Sequence, residues 1–416
     1  SKKGGFGRMS SATIFNHYLQ TVSQAIQSQN GIQLASTLDF DVIDQSTKQA
    51  IYAQTNLEQV VSRTIGNPWH NFLSLHLKAF QFVAKQNPSQ AFDLQNQAVD
   101  ILSKLMVADR ENSWWLPALN TAIKFLRLAS YLADDRLDLD SNQSEKSKHS
   151  KSVQGVLLKF FQRMIGDRST PVEQSTKMGC LFIVVHLFKI YFRLKSLSLC
   201  NNLIKSVNNS NFPSFDKFPK AQTVAYNYYH GRLQVFEEKY EEAEQCLDYA
   251  LLHCHKSNVQ NKRRILQFLI PVKLVLSKYP QRDLLQKYGL LQFDQLIHAT
   301  RTGNLKLFNQ NLEDYQEFFI NKGIFLILEK LKTFVYRNLF RKVHTFMATQ
   351  KDKKSNQLGL SDLQTALKLN DVDMDIDELE CILANLIFTG SVKGYIAHNR
   401  CVVLSKVNPF PPPKIR

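Results

Sequence analysis

"YHGRLQVFEEKYEEAEQCLDYAL", residues 229–251, decides the fold. Tyr240, Ala243, Leu247 and Ala250 are spaced by three, four and three residues, so at helical pitch they share one stripe. An aromatic–Gly pair (Tyr229, Gly231) precedes that stripe, and small residues at these places let two helices approach closely. The pattern is that of a tetratricopeptide-like helical hairpin, a unit that buries its apolar face only by stacking on neighbours.

The same spacing recurs in both directions. It is carried by Leu197, Cys200, Ile204 and Val207, by Leu305, Phe308, Leu312 and Tyr315, and by Ala91, Leu94, Ala98 and Ile101. Glycine and proline are few, 15 and 12 in 416 residues, and collect at breaks such as 65–69, 211–219 and 408–413. Residues 134–152, "DDRLDLDSNQSEKSKHSKS", are low in apolar content and are expected to form a flexible loop. Residues 1–9 read as a cloning remnant.

The character changes after about residue 350. "KDKKSNQ" reads as a polar turn. "LSDLQTALKL" follows, with Ser361 and Gln364 spaced as a capping box. "DIDELECILANLIFTG" comes next, capped by Asp375, ended by Gly390, and striped by Ile376, Leu379, Ile382, Leu383, Leu386 and Ile387. "SVKGYIAHNRCVVLSK" then supplies two β-branched runs around a tight "HNR" turn. Helix, helix and hairpin after a preceding helix is the order of a winged helix. The expected fold is therefore an all-α helical-repeat solenoid ending in a winged-helix subdomain with a small β-hairpin. N-terminal repeats span 10–205, further repeats and a long basic helix 206–350, the winged helix 351–407 and a Pro-rich tail 408–416.

Charge points to a class of partner. Lys and Arg total 52 against 36 Asp and Glu, a net charge of +16. Such an excess fits a polyanion. It is concentrated over 330–354, which holds eight Lys or Arg and the single acid Asp352. Taken as one helix over 323–347, the stretch places Ile324, Leu328, Leu331, Val335, Leu339, Val343 and Phe346 on one side and Lys330, Arg337, Arg341 and His344 on the other. Lys342 falls near the apolar edge, where its stem packs and its amine snorkels. A solvated face normally mixes signs; a face of one sign repels itself and favours a polyanionic partner. Lys256, Lys262, Arg263 and Arg264 form a second basic cluster, and Lys393 and Arg400 lie on the wing. Asp371, Asp373, Asp375, Asp377, Glu378 and Glu380 open the would-be recognition helix and argue against its insertion into a major groove.

Other chemistries find little support. An EF-hand counted from Asp371 would need glycine and glutamate where Ile376 and Ile382 stand. Three adjacent helical residues, His253, Cys254 and His255, point about 100° apart and do not converge on one metal ion. His186 reads as a satisfied core histidine, and Trp114 and Trp115 as packing before Pro117. The six cysteines include no CxxC pair and read as reduced core thiols in a nuclear or cytosolic protein. The apolar run "CLFIVVHLF" is too short to cross a bilayer. No Walker, GxSxG, HExxH or dinucleotide motif occurs, so neither enzyme nor cofactor is expected.

Long blocks also resemble a known family. They are 179–206 ("GCLFIVVHLFKIYFRLKSLSLCNNLIKS"), 250–280, 318–343, 371–396 and the closing "NPFPP". They resemble PCI-domain proteins, whose module is shared by subunits of the proteasome lid, the signalosome and an initiation factor. Within these they are most similar to the PCI subunit of the transcription-coupled mRNA-export complex. The resemblance implies the PCI fold, a non-catalytic role, and a place in the nucleus at nuclear pores, with the cytoplasm as second compartment. It implies pairing with a larger scaffold of the germinal-centre-associated nuclear protein type and with a small acidic protein named for split-hand/split-foot deletion. Paired winged helices would then bind RNA or DNA through backbone contacts. In that picture Lys330, Arg337, Arg341, Lys342, Lys393 and Arg400 are the nucleic-acid contacts, and Lys262, Arg263 and Arg264 meet the acidic partner or nucleic acid. These positions come from the charge pattern, not from a family motif. The competing reading is a pure protein-interaction scaffold, as in lid or signalosome subunits.

Overall fold

The computed structural model describes residues 10–108, 113–140, 147–349 and 356–411. Its helices run α1 (Ser11–Gln27), α2 (Gly31–Leu38), α3 (Gln45–Tyr52), α4 (Leu57–Thr64), α5 (Trp69–Ala84), α6 (Pro88–Ala108), α7 (Leu116–Asp140), α8 (Lys148–Ile165), α9 (Cys180–Arg193), α10 (Ser198–Val207) and α11 (Lys220–Phe236). They continue as α12 (Tyr240–His253), α13 (Val259–Val275), α14 (Arg282–Lys287), α15 (Asp294–Thr302), α16 (Leu305–Asp314), α17 (Gln316–Lys322), α18 (Phe325–Lys330) and α19 (Lys332–Ala348). β1 (Gln357–Gly359), α20 (Leu360–Lys368), α21 (Ile376–Phe388), β2 (Gly394–Ala397) and β3 (Cys401–Leu404) complete the chain. Two compact units divide at Tyr226 and Asn227, inside α11, rather than at 205/206. The loop after α10 looks like a boundary in sequence, but the helix that follows it is shared. The expected remnant 1–9, the polar stretch 351–355 and the tail beyond Pro411 lie outside the described residues.

In the N-terminal unit each helix packs on the next from α4 to α9. The expected loop at 134–152 is corrected: 134–140 continue α7 and 148–152 open α8, while 141–146 lie outside the described residues. The polar residues are used within the fold. Asp134 is 1% exposed and accepts from the amides of His149 and Ser150, both at 2.9 Å, so a carboxylate from α7 caps α8. His186 is buried, as its place in an apolar helix predicts. Its Nδ1 accepts from Arg127 Nε and its Nε2 donates to Asn120 Oδ1 at 2.9 Å. Burial, reinforced by Lys189, Arg127 and Lys124, pushes the imidazole well below its ordinary pKa. Burial also lowers the pKa of His76, which bridges Gln95 and Leu38 among aromatic rings. No helix among the described residues is long and apolar enough to cross a membrane.

The C-terminal unit contains the hairpin that the sequence announces. Tyr240, Ala243, Leu247 and Ala250 are all buried on α12. A Cβ on Gly231 would sit 2.7 Å from Leu247 Cγ, so only glycine allows this approach of α11 to α12. The expected single helix over 323–347 is corrected to two. The chain turns at Leu331, whose carbonyl accepts from Phe334 N at 2.8 Å, because α18 packs on α13 while α19 packs on α15 and α16. The winged helix follows. Its sheet is antiparallel in the order β1-β3-β2, with Leu358 and Ile396 both opposite Val402. Asp375 caps α21 by accepting from Glu378 N at 2.7 Å, and Gly390 takes the left-handed conformation that ends it. The capping box is a second correction. β1 runs directly into α20 with Gly359 at the cap position, so Ser361 lies inside the helix and Gln364 donates to Met374 O instead.

Two outcomes are expected for the N-terminal unit, which holds all three tryptophans and so can be followed by their fluorescence. Asp134→Ala strands the α8 amides and lowers unfolding free energy by about 2–3 kcal/mol in urea titrations. Because folded His186 and His76 hold a proton less tightly than the unfolded chain, acidification below a pH of about 6.5 favours unfolding, and stability rises again with pH through that window. The urea midpoint therefore falls between roughly pH 7.5 and 5.5, and His186→Gln flattens the fall.

Candidate nucleic-acid interface

The basic residues separate into groups once folded. Arg337 is corrected from exposed contact to buried anchor. It is 4% exposed on α19 and donates to the carbonyls of Phe410 and Pro411, at 2.5 and 2.7 Å, and to Asn338 Oδ1 at 2.6 Å. The helix period places it one turn from Arg341, but the closing "NPFP" folds back over it. Phe410 lies against its guanidinium and against His344. The same segment accepts from Lys393 N through Pro409 O at 2.8 Å, so the base of the β2–β3 hairpin is tied to α19.

Arg341 and Lys342 are exposed on the next turn of α19. Arg341 lines a cavity with Ser277, Tyr279, Arg301, Arg337, Asn338 and Phe410. Arg301 was not anticipated. Gly303 brings it there: it ends α15 with a φ of +70°, and a Cβ on it would lie 2.4 Å from the backbone N of Leu339 on α19. Asn338 Nδ2 donates to Thr300 O at 2.7 Å and fixes the same contact. The only sequence signal for Arg301 is a basic residue in the last turn before a helix-ending glycine, too common to single it out.

The remaining candidates lie elsewhere. Lys330 ends α18 in an ion pair with Glu238 at 2.5 Å. Lys262 and Arg263 are half-buried and Arg264 exposed in the first turns of α13, with Arg263 donating to Gly289 O at 3.1 Å. Ser277 and Tyr279 lie just beyond the other end of α13, so that cluster is roughly 20 Å from the cavity. Arg400 is at the wing tip, about 13 Å along the hairpin from Lys393. The tip is held from α21, not α19: Glu380 accepts from Asn399 N and binds His398 Nδ1, both at 2.8 Å. Hydrogen bonding to Glu380 raises the His398 pKa, and the Asn399 amide, then His398, lower that of Glu380.

The acids before and within α21 are also partly committed. Asp371 pairs with Lys306 at 2.7 Å, Asp373 lies 4.0 Å from Lys368, and Asp375 is the cap. Among the described residues no group of three His, Cys, Asp or Glu side chains is placed to hold a metal ion. Cys254 is buried, the His253 ring lies tilted against Tyr249 and His255 meets Ser257.

Arg337→Lys keeps the charge but loses the fork that reaches two carbonyls. It is expected to lower stability by about 1–3 kcal/mol and to make the segment after Leu404 protease-sensitive, read by limited proteolysis with mass spectrometry.

A PCI domain matches residues 312–406, which run from the end of α16 through the winged helix. "PCI domain-containing protein 2" from Xenopus laevis is 37% identical over 401 residues, covering 95% of this chain and 97% of its own. The protein of the same name from Danio rerio is 37% identical over 404 residues, covering 95% and 97%. A "PCI domain-containing protein 2 homolog" from Dictyostelium discoideum is 36% identical over 373 residues, covering 88% and 84%.

Proposed function

The chain belongs to the PCI domain-containing protein 2 family, and from that premise we propose that it is a non-catalytic subunit of a transcription-coupled mRNA-export assembly at the nuclear pore. It pairs there with a larger scaffold of the germinal-centre-associated nuclear protein type and with the small acidic split-hand/split-foot protein. Its own contribution is a cationic edge that holds the phosphate backbone of RNA or DNA. The observation that supports this is the meeting of Arg301 and Arg341 at one opening whose lining includes no Asp or Glu among the described residues. Lys342 lies one residue on, and Lys393 is tied nearby through Pro409. Arg337 is not part of the contact; it holds the edge together from beneath. Lys330 and Lys262–Arg264 are assigned no nucleic-acid role in this reading.

A second reading is favoured by a different observation. Phe388, Tyr395 and Val407 in the winged helix are 87%, 64% and 78% exposed. Large apolar groups exposed in one module suit a protein partner. On this reading the subunit is a pure interaction scaffold and binds no nucleic acid.

The two separate on the chain paired with its scaffold, titrated with labelled single-stranded RNA. Replacing Arg341 and Lys342 with Glu should weaken binding at least about ten-fold and reduce the slope of log K against log salt by roughly 1.4, two phosphate contacts at ~0.7 each. Unchanged affinity and slope, with binding to the scaffold abolished instead by Phe388→Glu, would establish the second reading.

A further inference from the structure

We propose that the cavity bounded by Tyr279, Arg301, Arg337, Asn338, Arg341 and Phe410 is a binding site for a phosphomonoester, its terminal oxygens held by the guanidinium groups of Arg301 and Arg341 above that of Arg337. The inference does not rest on the nucleic-acid reading: it uses the same opening, but it requires only an anion that fits inside it.

Three features argue for a ligand. Three arginines line one cavity of about 300 Å³, and no Asp or Glu among the described residues lines it with them. Arg337 is 96% buried by its 4% exposure, its partners among the described residues are all neutral oxygens, and its Nε has no hydrogen-bond partner among them. A buried cation without counter-charge is costly, and a buried N–H without an acceptor adds to that cost. Burial, then the neighbouring Arg341, push its pKa down to about 10, which is the same unmet demand seen as a proton equilibrium. An anion entering the cavity meets it.

Charge and shape choose among anions. A carboxylate carries one negative charge and two acceptor oxygens. A phosphomonoester carries close to two charges near neutral pH and three terminal oxygens, which match three separate guanidinium groups better. A phosphodiester inside a strand continues on both sides and keeps only two terminal oxygens, so it lies across an opening and does not enter it. The aromatic rings of Tyr279 and Phe410 wall the cavity, and Arg301 lies over the Tyr279 ring with 5.4 Å to its centroid, which orients its fork. The volume accommodates the phosphate together with part of the group that bears it.

The probe is inorganic phosphate, added to the full chain at fixed ionic strength with chloride as the reference. At about 10 mM, phosphate is expected to raise the melting temperature by roughly 3 °C beyond chloride. Arg301→Ala and Arg341→Ala, at exposed positions whose loss leaves the core intact, should each remove the gain. A melting temperature no higher in phosphate than in chloride, or an equal gain in both variants, would overturn the site. A 5′-phosphorylated oligonucleotide and its 5′-hydroxyl twin then identify the source. If the phosphate improves binding about five-fold and Arg301→Ala erases only that increment, the ligand is a nucleic-acid end. If the twins bind alike, or neither binds, while inorganic phosphate still stabilises the chain, the ligand is a small phosphorylated molecule. Where neither twin binds, the nucleic-acid reading loses its support while the site stands; where they bind alike, both stand.

Discussion

The guanidinium of Arg337 is removed from water with no carboxylate among the described residues to meet it, and the contacts around α19 are arranged about that fact. Desolvating such a group costs several kcal/mol, and neutral carbonyls recover only part of it. To supply those carbonyls the chain after β3 must double back, and Phe410 must close over α19. Doing so pins Pro409 against Lys393 and fixes the root of the wing. Asn338, held by the same arginine, turns its amide to Thr300 and draws in the end of α15 with Arg301. A buried ionic group is often no more stabilising than an apolar one of similar volume. The arginine therefore makes better sense as part of a site than as part of a core.

Local periodicity made much of this fold legible. Gly231 with Tyr240, Ala243 and Leu247 predicted a close helical hairpin, and the contact of Gly231 with Leu247 is the reason for the pattern. Asp375 and Gly390 marked both ends of α21. The failures share a cause: they depend on contacts distant in sequence. No glycine or proline marks the turn at Leu331, because it arises from α18 and α19 packing on different helices. The polar stretch after Ala133 looked disordered because its acid has no local partner; Asp134 is a buried cap for a helix that starts fourteen residues later. β1 is three residues long and becomes a strand only because β3 pairs with it.

The candidate site was legible as a charge pattern and not as a place. A helical wheel put Arg337 and Arg341 on one side, and both do border the same cavity. It could not show that Phe410, 73 residues further on, would bury the first and leave the second open. Nor could it find Arg301 and Tyr279, which arrive from α15 and from the end of α13. The acids at the start of α21 were read as a phosphate-repelling face. Several are spoken for: Asp371 by Lys306, Asp375 by the helix it caps, Glu380 by the wing tip. The cavity's own lining includes no Asp or Glu among the described residues.

Two kinds of unmet demand thus remain on the C-terminal unit, and they respond to different partners. Phe388, Tyr395 and Val407 expose apolar surface, whose burial is favourable at about 25 cal/mol per Å² and is nearly independent of salt. Arg301 and Arg341 expose charge, whose neutralisation weakens as salt rises. A partner that covers the first set does nothing for the second unless it also brings acids to it, because Arg337 holds the cationic edge on α19 while Glu380 holds the wing tip on α21. One module can therefore keep a lasting protein partner on its apolar surface and exchange an anion at its cationic one, each governed by its own dependence on salt.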